Sequence, residues 1–279
     1  DAVAAINLIF PLIIIFGAIG FMLGTGGSAL VAKTLGEGDR EKANKYFSML
    51  VYITLAIGIT IAVAGQFTVT HIARFFGAKG IIYEYCVLYG RVLLAAQPFF
   101  ILQNIFQSFF VTAEKPRLGL IVTGIAGVTN MVTDALFILV FKWGLRGAAF
   151  ATALSQIIGG TIPVIYFFSK NNSLLRLTKT KFYGKALLKS VTNGCSEFFA
   201  NISSAVVMIL YNFQIQRFAG DDGLAAYGAI GYVMMIFFAI FIGYAVGSAP
   251  IIGYNYGAQN KQELKNLFKK SIIIMIIAG

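Results

Sequence analysis

Charged residues in this 279-residue chain are confined to short clusters, and the intervals between them are long. The uncharged intervals run 2–32, 46–73, 92–113, 118–141 (broken by Asp134), 147–169, 190–216 (broken by Glu197) and 223–260, with another opening at Ser271. A hydrocarbon layer of about 30 Å needs roughly 20 helical residues at 1.5 Å each, and every complete interval is long enough. Transmembrane strands would instead show segments of about ten residues with alternating polarity, and none is present. The pattern predicts an all-α membrane protein, a multi-pass helical bundle with seven complete helices and part of an eighth. Composition agrees: 58% of residues are hydrophobic, 12% are charged, and mean hydropathy is +0.80.

The net charge of +11 is explained by topology. Loops 33–45, 113–117, 170–189 and 258–270 carry 4, 2, 6 and 4 Lys/Arg, against 2, 2 and 1 in the intervening loops 71–84, 142–146 and 217–222. The richer set is expected in the cytoplasm. No basic stripe with interleaved aromatics stands outside the helices, so nucleic acid is not an expected partner. Cys86 and Cys195 have no metal-ligand spacing, and the chain has no phosphate-binding loop or Ser/His/Asp set. A non-enzymatic role is expected.

The chain also repeats itself. Asp1–Ala5 resembles Asp222–Ala226, Gly27-Ser28-Ala29 resembles Gly247-Ser248-Ala249, and Gly36 through Phe47 resembles Gly257 through Phe268, at offsets of 220–221. Three blocks in one order, holding one offset to within a residue, mark an internal repeat. A helix (190–216) precedes the second copy, so a corresponding helix is expected before Asp1, and further helices after Gly279. Each unit would then hold six helices. An even number returns the chain to the same side, so the two six-helix lobes are parallel repeats, with a site expected between them. The division reads as residues 1–169, the first lobe without its first helix; 170–189, a cytoplasmic linker; and 190–279, the start of the second lobe.

Two acids lie inside the uncharged intervals. A charge in the bilayer centre costs from about 2.5 to over 10 kcal/mol, so each is a functional candidate. Asp134 lies about 24 Å along its helix from Leu118, in the outer half. Asn130 is one turn earlier on the same face, and together they offer hard oxygen ligands to Na⁺, or a shared site for a proton. An Asn–Asp pair joining two helices is the plainer reading of the same residues. Glu197 sits in an i, i+4, i+8 stripe with Asn193 and Asn201, which should face the bundle interior or water; a packing network around a neutral Glu is its alternative.

The stretch Gly24–Asn44 (GTGGSALVAKTLGEGDREKAN) resembles the second helix and following loop of the MATE (multidrug and toxic compound extrusion) family, and Pro250–Ala258 (PIIGYNYGA) resembles the corresponding stretch of that family's second lobe. Asn193–Glu197 (NGCSE) is most similar to the bacterial drug-efflux branch. The resemblance covers the whole chain, from the second helix into the ninth of twelve. It implies a Na⁺- or H⁺-coupled multidrug efflux antiporter exporting organic, cationic compounds by alternating access, with no other cofactor. The expected setting is a bacterial plasma (inner) membrane, with lipid and drug-like molecules as partners and a monomeric state. It further implies that Asn130 and Asp134 are the fifth-helix pair of an outer-half cation site, with Thr152 the sixth-helix Thr, although a Thr hydroxyl equally bonds back to its own helix. A carboxylate in the place of Glu197 serves cation or drug coupling in that branch. Two alternatives stand beside this reading. One is a lipid-linked oligosaccharide flippase of the same superfamily, which would need cationic side chains inside its cavity, where only Arg91 comes close. The other is an ion channel or a non-transporting scaffold.

Overall fold

The computed structural model describes the backbone of residues 2–278, and side chains throughout except at 1–4, 7, 278–279 and positions scattered over 205–238. Seven α-helical elements follow one another: α1 (Ala2–Gly36), α2 (Arg40–Phe75), α3 (Gly80–Thr112), α4 (Pro116–Asp134), α5 (Leu145–Phe168), α6 (Gly184–Gly257) and α7 (Lys261–Ala278). A six-residue π-helical segment, Ala135–Val140, extends α4. Among the described residues five stretches, Leu8–Gly36, Arg40–Phe75, Gly80–Thr112, Pro116–Val140 and Leu145–Phe168, are long and apolar enough to cross a membrane. The end of the bundle carrying the 170–183 segment, which the charge pattern assigns to the cytoplasm, is called inner below.

Local chemistry sets the helix ends. Gly38 closes α1 at φ +85°, with Gly38 N–H on the Leu35 carbonyl and Asp39 N–H on that of Thr34, a left-handed cap that glycine adopts without a Cβ clash. Asp39 then caps α2, its carboxylate accepting from the Lys42 amide at 3.0 Å. Pro116 opens α4, where a missing N–H is harmless. Helix α3 begins twelve residues before its uncharged interval and carries Glu84 and Arg91 in its outer turns. Pro98 and Pro163 sit within α3 and α5, each of which remains one element.

The reversal expected at 217–222 is present, but without a non-helical loop: backbone of helical conformation continues from Gly184 to Gly257. A straight helix would separate Tyr211 and Tyr227 by about 24 Å, yet their rings stack with centroids 5.8 Å apart. The element therefore doubles back between them. Its two arms both lie on α1, the first at Gly194 against Met22 and the second at Gly253 against Ala29 and Ala32.

Two apolar cores divide the bundle lengthwise. At the inner end Phe47, Phe106, Phe109 and Phe167 are fully buried; the Phe47 ring lies 4.8 Å from Phe109 and 5.1 Å from Phe167, edge to face, the arrangement aromatic quadrupoles favour. At the outer end Ile9, Ile13, Val69, Leu93 and Leu94 pack together. By contrast α4 leaves Leu120, Met131 and Leu139 more than 70% exposed, an apolar surface suited to lipid or to further protein.

The segment after α5 is an extended strap along the inner half of α2. Arg176 N–H donates to Asn44 Oδ1 at 2.7 Å and Thr178 N–H to Ser48 Oγ at 2.8 Å. Four helical residues rise about 6 Å, and two extended residues span about 6.6 Å. The i, i+4 polar pair on α2 is thus in register with alternate amides of the strap. Arg40 adds donors to the Ser173 and Leu174 carbonyls at 2.8 and 3.1 Å, and Leu175 inserts fully buried into the inner core.

Candidate functional site

Asp134 is the last residue of α4 before the π-helical segment. That wider turn packs on the start of α5 through Phe137 against Gly147, and Phe137 stacks on Trp143 at 5.1 Å. The outer end of α4 is thereby held against α5, and π-helical turns of this kind often accompany functional positions. One turn inward is Asn130. Asp134 Oδ1 and Asn130 Nδ2 are both buried and have no hydrogen-bond partner within the protein. Orphaned buried polar atoms in a native fold call for an explanation, a bound ion or water among them.

On α5, Thr152 lies at the α3 side of this region. Its hydroxyl faces that of Tyr89 on α3, and Tyr89 in turn has the Asp134 carboxylate within electrostatic range. Tyr89 is 5% exposed. Three helices thus bring a carboxylate, a carboxamide and two hydroxyls to one outer-half location. These groups supply oxygen donors of the kind hard cations take, or a carboxylate able to carry a proton with hydroxyls to share it. Sequence reasoning missed Tyr89, because one of 13 tyrosines in an apolar helix carries no spacing signal.

The second set lies elsewhere. Asn193, Glu197 and Asn201 are on the first arm of α6, which packs chiefly on α1 and less on α3. Asn201 donates its amide to the Glu197 backbone carbonyl at 2.7 Å, so that polar group is satisfied within the helix, and Glu197 is half-buried. Asn193 is exposed and lines a cleft of about 500 Å³ between α1 and both arms of α6, with Lys33, Lys189 and Tyr256. Lys33 is engaged there, 3.4 Å from Glu37 and with its ammonium over the Tyr256 ring. The two in-membrane acids therefore belong to separate places. Among the described residues no three His, Cys, Asp or Glu side chains gather as a metal centre.

The buried carboxamides of α3 hold helices together: Asn104 donates to the Gly17 carbonyl and Gln97 to that of Ile13, both at 3.3 Å. Gln103 lies beside Gly159 of α5.

The family model MatE matches residues 1–136 and 198–279. The multidrug export protein MepA of Staphylococcus saprophyticus is 25% identical over 276 residues, 99% of this chain and 61% of that protein. MepA of Staphylococcus haemolyticus is 27% identical over 277 residues, 99% and 60% of the respective chains. The chain thus spans about three fifths of the length of the curated relatives it matches. A solved outward-facing multidrug resistance MATE family transporter superposes with a TM-score of 0.90 at 24% identity, covering 99% of this chain and 61% of that one. An inward-facing one superposes with 0.76 at 23% identity, covering 99% and 63%.

Proposed function

The chain belongs to the MATE family, and from that membership we propose that it forms part of a cation-coupled exporter of organic, cationic compounds in a bacterial plasma membrane. The observation that carries this reading is the pair of buried, unpartnered polar atoms one turn apart on α4, Asp134 Oδ1 and Asn130 Nδ2, in the outer half of the bundle; Tyr89 of α3, with Thr152 beside it, lies within electrostatic range of Asp134. In this reading residues 1–169 are the first lobe, 170–189 the linker and 190–279 the start of the second lobe, and the transporter works as a monomer.

The mechanism follows from differential affinity: a ligand moves a conformational equilibrium only as far as it prefers one state. Na⁺ or H⁺ arriving from outside at Asp134 neutralises the carboxylate. With Asn130 on the same helix face and Thr152 on α5, the ion draws α4 and α5 to a common ligand, and Tyr89 carries the change to α3. A repacked first lobe then holds the drug less tightly and favours its release outward. The better superposition on the outward-facing relative than on the inward-facing one supports assigning this conformation to the state that accepts the cation. Glu197 belongs to a second polar locus, on the α6 arm beside α1, where drug or a second coupling step would act with Asn193 and Asn201.

Dye efflux driven by a Na⁺ gradient and, separately, by a pH gradient tests the reading. Asp134→Asn is expected to abolish gradient-dependent export while leaving membrane insertion intact. Full export by that variant overturns it.

A further inference from the structure

Gln156 lies one turn inward of Thr152 on α5 and is 7% exposed, with its Oε1 unpartnered. Its position is held from both sides. Thr152 faces Tyr89 of α3; beyond Gln156, a methyl on Gly160 would collide with the Phe99 backbone and one on Gly159 with Gln103. Gln156 therefore sits on the stripe of α5 that is pressed against α3, where the loss of water from a carboxamide oxygen has to be made good by a partner.

Its depth is set by the antiparallel pairing of α4 and α5. Phe137 meets Gly147, and counting about 1.5 Å per residue along each helix places Asn130 level with residues close to position 154. Helical Cα–Cβ bonds tilt toward the helix N-terminus. The N-terminus of α5 is at the outer end, so Gln156 leans outward toward Thr152. The N-terminus of α4 is at the inner end, so Asn130 leans inward toward the level of Gln156. An orphaned donor, Asn130 Nδ2, and an orphaned acceptor, Gln156 Oε1, thus lie at a similar depth on two neighbouring helices, just inside Asp134. Gln97 Oε1 on α3 is unpartnered too, but its amide is tied to α1 at Ile13.

We propose that Gln156 Oε1 is a further oxygen ligand for Na⁺ in the first-lobe site, bound directly or through a water that Asn130 also holds. A neutral carboxamide at this place adds an oxygen without adding charge, so it favours Na⁺ over a bare proton, which needs only the carboxylate. This rests on the reading of Asp134 as the cation-binding acid.

Equilibrium binding of ²²Na⁺ to the purified protein containing this chain, together with thermal unfolding in Na⁺-free buffer, tests it. Gln156→Leu is expected to raise the half-saturating Na⁺ concentration on the order of tenfold, as loss of a supporting ligand does at metal sites, with unfolding in Na⁺-free buffer essentially unchanged. Gln156→Asn, which keeps the amide but withdraws the oxygen by one methylene, should weaken binding too and serves if the Leu variant does not fold. Asp134→Asn should abolish binding. If both Gln156 variants bind Na⁺ as the parent does while Asp134→Asn does not, the inference fails and the reading of Asp134 stands. If Asp134→Asn binds normally, or the parent protein binds no Na⁺, both the Na⁺ reading and the inference fall.

Discussion

Gly36 and Gly257 occupy equivalent places in the two repeats, 221 residues apart, and each is pressed onto the other's helix. A methyl on Gly36 would strike the Tyr254 carbonyl, and a methyl on Gly257 would strike that of Lys33. Lys33 and Tyr254 are themselves separated by 221. The contact is therefore reciprocal, as the contact across a two-fold axis is. It brings the inner ends of α1 and α6 to backbone contact, with small residues at the crossing allowing the approach.

The reciprocity makes a quantitative prediction. Gly36→Ala and Gly257→Ala should destabilise the protein by similar amounts, about 1–3 kcal/mol each by overpacking, because both methyls meet rigid helix backbone. Thermal unfolding of each variant measures the effect. A large loss for one and none for the other would show that the two sides of the crossing are not equivalent.

The strap on α2 should resist proteolysis while its side-chain clasp is intact. Ser48 is fully buried, and it accepts from the Thr178 amide, so Ser48→Ala leaves that amide unpartnered at a cost of about 1–3 kcal/mol. Adding Asn44→Ala removes the acceptor for the Arg176 amide. The double variant is expected to be cut by trypsin at Lys179 and Lys181 several times faster than the parent, with mass spectrometry locating the cuts.

Tyr89 and Thr152 should act as one unit. Tyr89→Phe and Thr152→Val each remove one hydroxyl of a facing pair, and each should reduce cation-driven export by about tenfold. The double variant should lose little more than either single one, since residues in contact give non-additive effects. Additive losses would separate the two hydroxyls functionally.

The inner aromatic core should be the most sensitive packing site. Phe47 touches Phe106, Phe109 and Phe167, and Phe47→Ala should cost about 3–5 kcal/mol through lost burial and the cavity left behind. A scanning unfolding measurement in detergent reads this directly; a loss below about 1 kcal/mol would mean the three remaining rings repack.

Much of the fold was legible in the chain because hydrocarbon imposes a simple rule. Uncharged interval 46–73 lies within α2, and 147–169 overruns α5 by one residue; the first five intervals correspond to the five apolar spans. Interval edges marked where charge begins, whereas the helices run on into the charged turns, since a helix needs no apolar side chain at its ends. The break expected at 217–222 falls where α6 doubles back, between Tyr211 and Tyr227, although the backbone there keeps helical conformation. Arg217 and the paired acids Asp221 and Asp222 signal a polar segment, and polar segments can stay helical.

The candidate site was legible only in part. Asp134 and Asn130 stood out because a carboxylate in an apolar helix is costly and its i−4 neighbour shares its face. Asn193, Glu197 and Asn201 shared a face for the same reason, but periodicity could not tell that Asn201 would bond its own helix or that Asn193 would open onto a cleft beside Lys33.

The sequence by itself determined the all-helical membrane class, the spans and the 221-residue period, because each follows from one-dimensional properties: the length of uncharged runs against the thickness of the bilayer, and the self-similarity of one segment to another. Which helices meet was decided only in three dimensions. Tyr89 faces Thr152 across 63 positions, α6 doubles back to lay both arms on α1, and Gly36 finds Tyr254. Such pairings depend on how small residues and bulky ones interlock between helices, and a linear pattern of polarity says which face is buried but not against what.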